Sequence, residues 1–461
     1  MTTIEGDIAP PRPVSTLHAW FTGFGRPPRL MGLDVARALA VLGMMAAHLL
    51  TTPELSLLDP STWGALVHGR PAILFAVLAG ISVALMTGRT RLPDVSELPA
   101  IRLGLVVRGA VIFVIGLVLE LLGTPIAVIL TFYGALYVIA AAFVRWRVSH
   151  LLAAAAVLAV AGPPLLALLK ALTFHSHGPG AALVLFGTYP LTVWLALLLG
   201  GMAIGRMRLD RTRDYVRLLG IGVVLAAVGY GVGALGAAAG TLGGSAHPDS
   251  ASSLSGGSLS LGASESDAGS QPLVGVSPDE IDLAGTVCDD YGDAYISCYP
   301  LDAGVQDAES ETQASGWESY FAELAGQDPL GSALFALIAV EPHSGGTAEI
   351  VGSGGFAVAV IALCLLASAP LRWMLLPVAA LGSMPLSAYS AHVLSYALIA
   401  GPGVFLDSFD VWLWSAVVLL VASTLWSILR GRGPLESLLS RLTAAASSSS
   451  ARRSSVPPPS R

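Results

Sequence analysis

The stretch RLMGLDVARALAVLGMMAAHLL, residues 29–50, decides the fold class of this chain. It is an apolar run close to the ~20 residues that cross a lipid bilayer as a helix. It nevertheless carries three ionisable side chains, Asp34, Arg37 and His48. Ionisable side chains at membrane depth are costly, so they usually face a partner or a cavity. The stretch therefore predicts a membrane helix that has one functional face.

Similar apolar runs recur along the whole chain. Apolar residues make up 54% and charged residues only 12% of the sequence, and a mean hydropathy of +0.72 indicates an integral membrane protein. Because lipid offers the backbone no hydrogen bonds, the spans are predicted to be helices. We therefore predict an all-α fold, a polytopic transmembrane helix bundle with about ten spans and a long extracytoplasmic insert. The predicted spans are residues 32–50, 71–87, 105–122, 124–144, 151–173, 189–205, 218–240, 351–369, 375–400 and 411–429. A further apolar segment, 329–340, is short and is interpreted as a partly inserted or surface helix.

The basic residues are segregated along the chain. No Lys or Arg occurs between Arg217 and Arg372, whereas the short loops elsewhere and the C-terminal end are basic. Since cytoplasmic loops of membrane proteins carry the excess of Lys and Arg, the basic loops and both termini are predicted to be cytoplasmic. The predicted parts are a cytoplasmic N-terminal tail (1–30), a first membrane bundle with spans 1–7 (31–240), an acidic Ser/Gly-rich extracytoplasmic insert (241–326), a second membrane part with spans 8–10 (327–430) and a disordered cytoplasmic tail (431–461).

Two features bear on the compartment. Cys288 and Cys298 lie in the insert, where an extracytoplasmic location would allow them to form a local disulfide. The Ala- and Arg-rich, Lys-poor composition indicates a GC-rich bacterium, so the expected location is the bacterial cell membrane, with the lipid bilayer as the first partner.

Polar residues are expected at both ends of the first span, and Asp34 lies three residues before Arg37, close enough for a local ion pair. Arg37 and His48 are eleven residues apart, so on a helix they share a face and are separated by roughly 16 Å along the axis. One interpretation treats Asp34, Arg37 and His48 as residues that anchor the helix at the membrane surfaces. The other is a polar pocket at the outer end, in which histidines carry protons. Further candidates for this outer level are Asp59, Trp63, His68, Arg70, Glu120, Glu341, His343, Tyr389 and His392.

Metal and nucleic-acid functions find no support in the sequence. No histidine or carboxylate pair stands on one helix at the spacing of metal ligands, so no metal is predicted. Neither a phosphate-binding glycine loop nor a nucleic-acid-binding pattern occurs.

The polar positions lie in segments that resemble a known family. LDVARALAVLGMMAAH (33–48) and GRPAILFAVLAGISVAL (69–85) resemble the opening of bacterial heparan-alpha-glucosaminide N-acetyltransferase-like membrane proteins. TPIAVILTFYGALYVIA (124–140), EPHSGG (341–346) and LGSMPLSAYSAH (381–392) are similar to later blocks of that group. An Arg followed after ten residues by a His also resembles the signature of the wider membrane acyltransferase superfamily.

The resemblance implies an acetyl-CoA-dependent acyltransferase. It implies that an acetyl group moves from cytoplasmic acetyl-CoA, the donor substrate, to a sugar amine or hydroxyl of an extracytoplasmic glycan or glycolipid. His48 stands where the animal enzyme of the family has an asparagine. The nearest candidates for the catalytic histidine of the family are Asp59 and the more distant His68.

The polar residues named above have three expected roles: catalysis, binding of the donor and binding of the acceptor. An arginine near the cytoplasm can bind a CoA phosphate through charge-assisted hydrogen bonds, and a histidine farther out can deprotonate the acceptor. The expected catalytic residues are His48, Asp59, His68, His343 and Glu341. The expected donor-binding residues are Asp34, Arg37, Arg102 and Arg108, although cytoplasmic arginines also serve to set topology. The expected acceptor-binding residues are Trp63, Arg70, Glu120, Tyr389 and His392.

Two non-enzymatic alternatives stay open at this point. A transporter also needs a polar path, but it more often shows paired broken helices or an internal repeat. A cell-envelope scaffold would use the acidic insert to bind a partner and needs no catalytic pocket. A homodimer is one candidate assembly for any of the three.

Overall fold

The computed structural model describes most of the chain as helix. The described residues are 16–26, 29–51, 62, 64, 69–173, 181–186, 190–209, 211–238, 286–290, 296–300 and 316–454. The chain divides into two compact units, one formed by Met1–Gly244 with Pro329–Arg461 and the other by Ser245–Asp328.

The first unit is a helix bundle. Its helices, in chain order, are α1 (Thr16–Gly23), α2 (Met31–Leu49), α3 (Arg70–Met86), α4 (Leu98–Glu120), α5 (Leu130–Phe143), α6 (Val148–Leu172), α7 (Leu191–Arg206) and α8 (Thr212–Ala238). After the second unit follow α10 (Pro329–Ile338), α11 (Thr347–Ala367), α12 (Arg372–Gly382), α13 (Pro385–Ala400), α14 (Phe409–Arg430) and α15 (Pro434–Ser454). A π-helical turn, Ala182–Phe186, lies between α6 and α7.

The prediction of an all-α membrane bundle is confirmed. Within the described residues, six helices are long and apolar enough to cross a bilayer, or seven if α12 and α13 count as one bent span. The six are α2, α4, α6, α8, α11 and α14. Helices α3, α5 and α7 occupy three further predicted spans but have only 17, 14 and 16 residues. The expected count of about ten is reached only if these shorter helices and the bent pair also cross.

The predicted span 375–400 is not one continuous helix. It breaks at Ser383 and Met384, where α12 and α13 meet at a bend of 70°. Pro385 is the reason, because it lacks an N–H for an intrahelical hydrogen bond and restricts the residue before it. It stands at the start of α13, where a proline fits well.

Helix α2 is the centre of the bundle. It contacts α3, α11, α12, α13 and α14. Buried positions make up 67% of its apolar window, against 22% in α6 and in α8. The small residues Ala36, Ala38 and Ala40 are fully buried, and small side chains let neighbouring membrane helices approach closely. The apolar stretch at residues 29–50 is thus surrounded mainly by protein rather than by lipid.

Helices α3 and α7 also approach closely, through glycines. A Cβ added at Gly80 would lie 2.0 Å from the carbonyl oxygen of Leu198, and one added at Gly201 would lie 2.1 Å from that of Val77. Both distances are far below van der Waals contact. The contact therefore requires glycine on both helices, as in small-xxx-small membrane interfaces.

The second unit contains the only described strands. Strands β1 (Thr286–Asp290) and β2 (Ile296–Pro300) form an antiparallel pair in which Cys288 lies opposite Cys298, and helix α9 (Gly316–Gly326) follows. The register brings the two cysteine backbones together, and the disulfide stays a prediction.

Both chain ends contain a helix, and the C-terminal one differs from the predicted character of that tail. The tail predicted as disordered from residue 431 forms α15, because Leu435, Leu438, Leu439 and Leu442 fall on one face and Leu439 is buried. The N-terminal tail contains α1, whose Trp20 is buried and donates a hydrogen bond to Ser427.

The glycine contact between α3 and α7 gives a direct test. We expect Gly201→Ala to lower the unfolding temperature, because the added methyl group must push two helix backbones apart at a cost of about 1–3 kcal/mol. The adjacent Gly200 meets no atom within 4 Å of an added Cβ, so Gly200→Ala is the matched control. Thermal unfolding in nanodiscs measures both, and equal melting temperatures for the two variants would contradict the contact.

Candidate functional site

A buried carboxylate organises the start of α2. Asp34 is 3% exposed and accepts hydrogen bonds from Arg29 Nε at 2.5 Å and Arg37 Nη1 at 2.6 Å. Arg37 also donates to Ser82 Oγ on α3 at 3.0 Å. A buried charge is tolerated when it is paired and hydrogen-bonded, and Asp34 meets both conditions. The predicted local ion pair between Asp34 and Arg37 is present, and Arg29 extends it.

Helix α12 ends directly on this cluster. A Cβ added at Gly382 would lie 1.7 Å from the Asp34 carbonyl oxygen, so the two backbones touch. At the other end of α12, Arg372 donates to the carbonyls of Phe21 and Phe24, just before α2 begins. Both ends of α12 therefore lie near the start of α2. Of the bent pair, α13 is therefore the helix that runs on to the His48 end of α2.

The far end of α2 carries a histidine pair. His48 Nδ1 lies 3.2 Å from His392 Nε2 on α13, and the two rings are parallel with centroids 5.5 Å apart. His392 is 1% exposed, whereas His48 is only half-buried. Two predicted site residues that are 344 positions apart in sequence are thus hydrogen-bonded to each other.

The loop after α13 closes over this end of α2. Ser408 N donates to the Leu49 carbonyl at 2.9 Å, and the backbone and hydroxyl of Thr51 both bind the Asp407 carboxylate. These hydrogen bonds lower the pKa of Asp407 from its ordinary value, and the bond from the Thr51 hydroxyl has the largest effect. Asp407 therefore stays ionised near neutral pH and fixes the chain just beyond His48.

A second buried carboxylate, Glu349, was missed by the sequence analysis. It is 4% exposed in the first turn of α11 and accepts from His343 N at 2.8 Å, Gly345 N at 2.7 Å and Ser344 Oγ at 3.1 Å. His343 has a positive φ of 67°, a conformation that is uncommon outside glycine. The signal for Glu349 was its place three residues after Gly346 at the start of an apolar run, where an acid stabilises a helix N-terminus.

The Glu349 carboxylate stabilises the turn at residues 343–345, and little space for a ligand lies beside it. The cavity beside it, which His343 and Trp194 help to line, has a volume of about 10 Å³. That is room for about one water molecule. The predicted catalytic residues His343 and Glu341 are exposed, and only the backbone of His343 has a described contact with Glu349.

Arg70 forms a separate polar contact at the start of α3. Its Nε donates to Tyr230 OH on α8 at 2.7 Å, and its guanidinium lies over the Tyr230 ring, 5.2 Å from the centroid. Tyr230 OH is 3.0 Å from Ser353 Oγ on α11. Arg70 therefore links three helices.

The other predicted site residues are dispersed. Tyr389 is buried one turn before His392, and its hydroxyl accepts from Ile129 N at 3.3 Å. Glu120 accepts from Thr131 Oγ1 at 3.0 Å.

The two additional donor-binding candidates do not contact the Asp34 cluster among the described residues. Arg102 donates to the Ala141 carbonyl at 3.2 Å, and Arg108 lies over the Tyr137 ring at 5.5 Å, so both pack on α5. Asp59, Trp63 and His68 lie outside the described residues.

The arrangement places groups of different chemistry at the two ends of α2. The Asp34 end offers arginine donors for an anion, and the His48 end offers two imidazoles, groups that can move a proton. Within the described part of the chain, no three His, Cys, Asp or Glu side chains are grouped as metal ligands.

Residues 29–229 match a family model described as "Heparan-alpha-glucosaminide N-acetyltransferase, catalytic". The match runs from two residues before α2 into α8 and so contains His48 but not His392. No curated protein and no solved structure gives a significant match to the chain. The predicted resemblance is confirmed over these residues.

The buried hydrogen bonds of Glu349 give a test of this region. We expect Glu349→Gln to lower the free energy of unfolding by about 1–3 kcal/mol, because an amide nitrogen cannot accept from buried donors. Glu323→Gln, at an exposed acid on α9, is the control and should be neutral. Chemical or thermal unfolding measures the difference, and an unchanged Glu349→Gln would show that the turn does not depend on the carboxylate.

Proposed function

Because the chain is heparan-alpha-glucosaminide N-acetyltransferase-like over residues 29–229, we propose that it is an integral membrane acetyltransferase. It takes the acetyl group from cytoplasmic acetyl-CoA and transfers it to a sugar amine or hydroxyl of an extracytoplasmic glycan or glycolipid. Its place is the bacterial cell membrane, with both termini in the cytoplasm. The observation that carries the proposal is the hydrogen bond between His48, inside the matched region, and His392, outside it.

Helix α2 supplies the path between donor and acceptor. Arg37 and His48 share a face and are roughly 16 Å apart along the axis. Acetyl-CoA carries its thioester on a long flexible arm, so phosphates bound near Arg37 leave the thioester free to approach His48. Arg37 uses two described hydrogen bonds, one to Asp34 and one to Ser82, of the five N–H donors that a guanidinium has.

The histidine pair determines which nitrogen acts as the base. When His48 Nδ1–H donates to His392 Nε2, the basic lone pair of His48 lies on Nε2. His392 then holds the ring orientation and stabilises the imidazolium, as the buried partner does in a catalytic triad. In this proposal His48 is the catalytic residue and His392 is a positioning residue, which the distance between their ring nitrogens supports.

The transfer step balances on these groups. His48 Nε2 removes a proton from the acceptor amine or hydroxyl while the acceptor atom forms a bond to the acetyl carbonyl carbon. The carbon–sulfur bond of the thioester then breaks, and the CoA thiolate takes the proton from the His48 imidazolium. The same histidine thus acts first as general base and then as general acid.

The roles of the two ends of α2 can be separated by kinetics. We expect His48→Ala to lower the rate of acetyl transfer roughly 10²–10⁴-fold, the usual contribution of general acid–base catalysis, while acetyl-CoA still binds. Arg37→Ala should weaken acetyl-CoA binding instead. The assay uses radiolabelled acetyl-CoA and a panel of amino and hydroxyl sugars with protein in nanodiscs.

The controls for this assay are the exposed residues His150 and Arg441. His150→Ala and Arg441→Ala should match the wild type in rate and in binding. If folded wild type does not bind acetyl-CoA, the proposal is wrong, and transport or scaffolding takes its place.

The positioning role of His392 predicts a change in the pH profile. His392→Leu removes the acceptor of the Nδ1–H, so the imidazolium that forms on His48 during the reaction loses stabilisation. The acidic limb of the rate profile should therefore move to lower pH, with a lower maximal rate. His392→Asn keeps an acceptor oxygen and should restore part of both. A reduced rate with an unchanged profile in His392→Leu would indicate a purely structural role.

A further inference from the structure

A basic cavity lies at the end of α2 that is opposite to the histidine pair. Its volume is about 530 Å³, within the range of small-molecule sites. Three arginines line it, Arg29 before α2 and Arg430 and Arg432 at the end of α14. The hydroxyl residues Ser383, Ser427 and Ser437 complete its polar wall.

The positive charge of the basic cavity is not neutralised. Within the described part of the chain, neither Arg430 nor Arg432 forms an ion pair, and no Asp or Glu lines the cavity. Asp34 binds both Arg29 and Arg37, so this group of three keeps one excess positive charge. Glu436 precedes the lining residue Ser437, is bound by Leu386 N and by the N–H and hydroxyl of Ser387, and offsets one of these charges. The local excess is therefore about two positive charges, and it attracts an anion.

One wall of the cavity is aromatic and held in place. The rings of Trp20 and Phe24 stack with centroids 5.0 Å apart at an angle of 24°. Trp20 Nε1 donates to Ser427 Oγ at 2.8 Å, and the guanidinium of Arg29 lies over Phe24 at 4.9 Å. The wall is thus preformed, which lowers the entropic cost of binding a ligand against it.

We propose that the basic cavity binds a phosphate-bearing group. Arginine forks match phosphate oxygens in pairs, so Arg430 and Arg432 supply the main charge-assisted hydrogen bonds. The rings of Trp20 and Phe24 contact the apolar or planar part of the same ligand. All of the lining residues except Arg29 lie outside residues 29–229, so the family match does not assign this site. The inference does not rest on acetyl transfer.

Two sources can provide such a phosphate. One is a soluble diphosphate compound, such as a nucleotide, that enters from the water. The other is the phosphate of an anionic membrane lipid. The experiment therefore has two arms, with inorganic pyrophosphate as the first probe and phosphatidylglycerol as the second.

The first arm measures pyrophosphate binding by calorimetry with protein in nanodiscs of phosphatidylcholine alone. The second measures, by native mass spectrometry, the phosphatidylglycerol that stays bound after detergent extraction. Both compare wild type with Arg430→Gln/Arg432→Gln. The control is Arg213→Gln/Arg441→Gln, which removes the same charge at exposed positions outside the cavity. Ser437→Asp is a second test variant, since it keeps the arginines and adds a negative charge to the wall.

We expect one probe to bind the wild type and to bind the double variant at least roughly tenfold more weakly, as loss of charge-assisted hydrogen bonds predicts. Ser437→Asp should weaken the same probe, and the control should match the wild type. Pyrophosphate binding identifies a soluble source, and retained phosphatidylglycerol without pyrophosphate binding identifies a lipid source. If folded variants bind both probes as the wild type does, or if the control loses as much, the proposal is overturned.

Discussion

The buried carboxylate of Asp34 is the constraint on which the rest of the bundle depends. A carboxylate that is 3% exposed inside a membrane protein must be paired, and Asp34 is paired with Arg29 and Arg37. Through these two arginines the start of α2 is tied to the preceding segment and, by Ser82, to α3. Helix α12 ends at Gly382, whose backbone touches the carbonyl oxygen of Asp34. One residue thus fixes where three elements meet.

This fixed point explains how the histidine pair forms. Because α12 ends against Asp34, the chain must turn sharply at Ser383 and Met384 before α13 can run beside α2. Helix α13 then reaches His48 after less than three turns, and His392 lies opposite it. A continuous span in place of α12 and α13 would separate Gly382 from Asp34 or His392 from His48. The 70° bend is therefore what allows both contacts.

The sequence predicted the membrane class, most helix positions and the ion pair at Asp34, because these depend on hydropathy and local spacing. It also named both His48 and His392, since each is an ionisable residue in an apolar run. It could not predict that they pair with each other, because that depends on packing between distant segments. Helix α15 was not predicted because the Ser-rich composition of its second half is typical of disordered segments. The four leucines that make its first half amphipathic were outweighed by that composition. Glu349 was missed because an acid in a first turn is usually a solvated cap, and only the fold shows that it is buried.

Both ends of α2 place ionisable side chains inside the protein, which is costly unless each charge is paired or absent. The two ends meet this cost in different ways. At the Asp34 end, full charges are present, the buried carboxylate is paired with two arginines, and the adjoining cavity keeps an excess of positive charge, which suits the binding of an anion. At the His48 end, the groups are imidazoles, which carry no fixed charge and so need no permanent counterion. A neutral pair can accept one proton and share its charge, whereas a fixed ion pair there would resist any change of charge. In the proposed function, this division assigns anion binding to one side of the bundle and proton transfer to the other, and the face of α2 that holds Arg37 and His48 would join them.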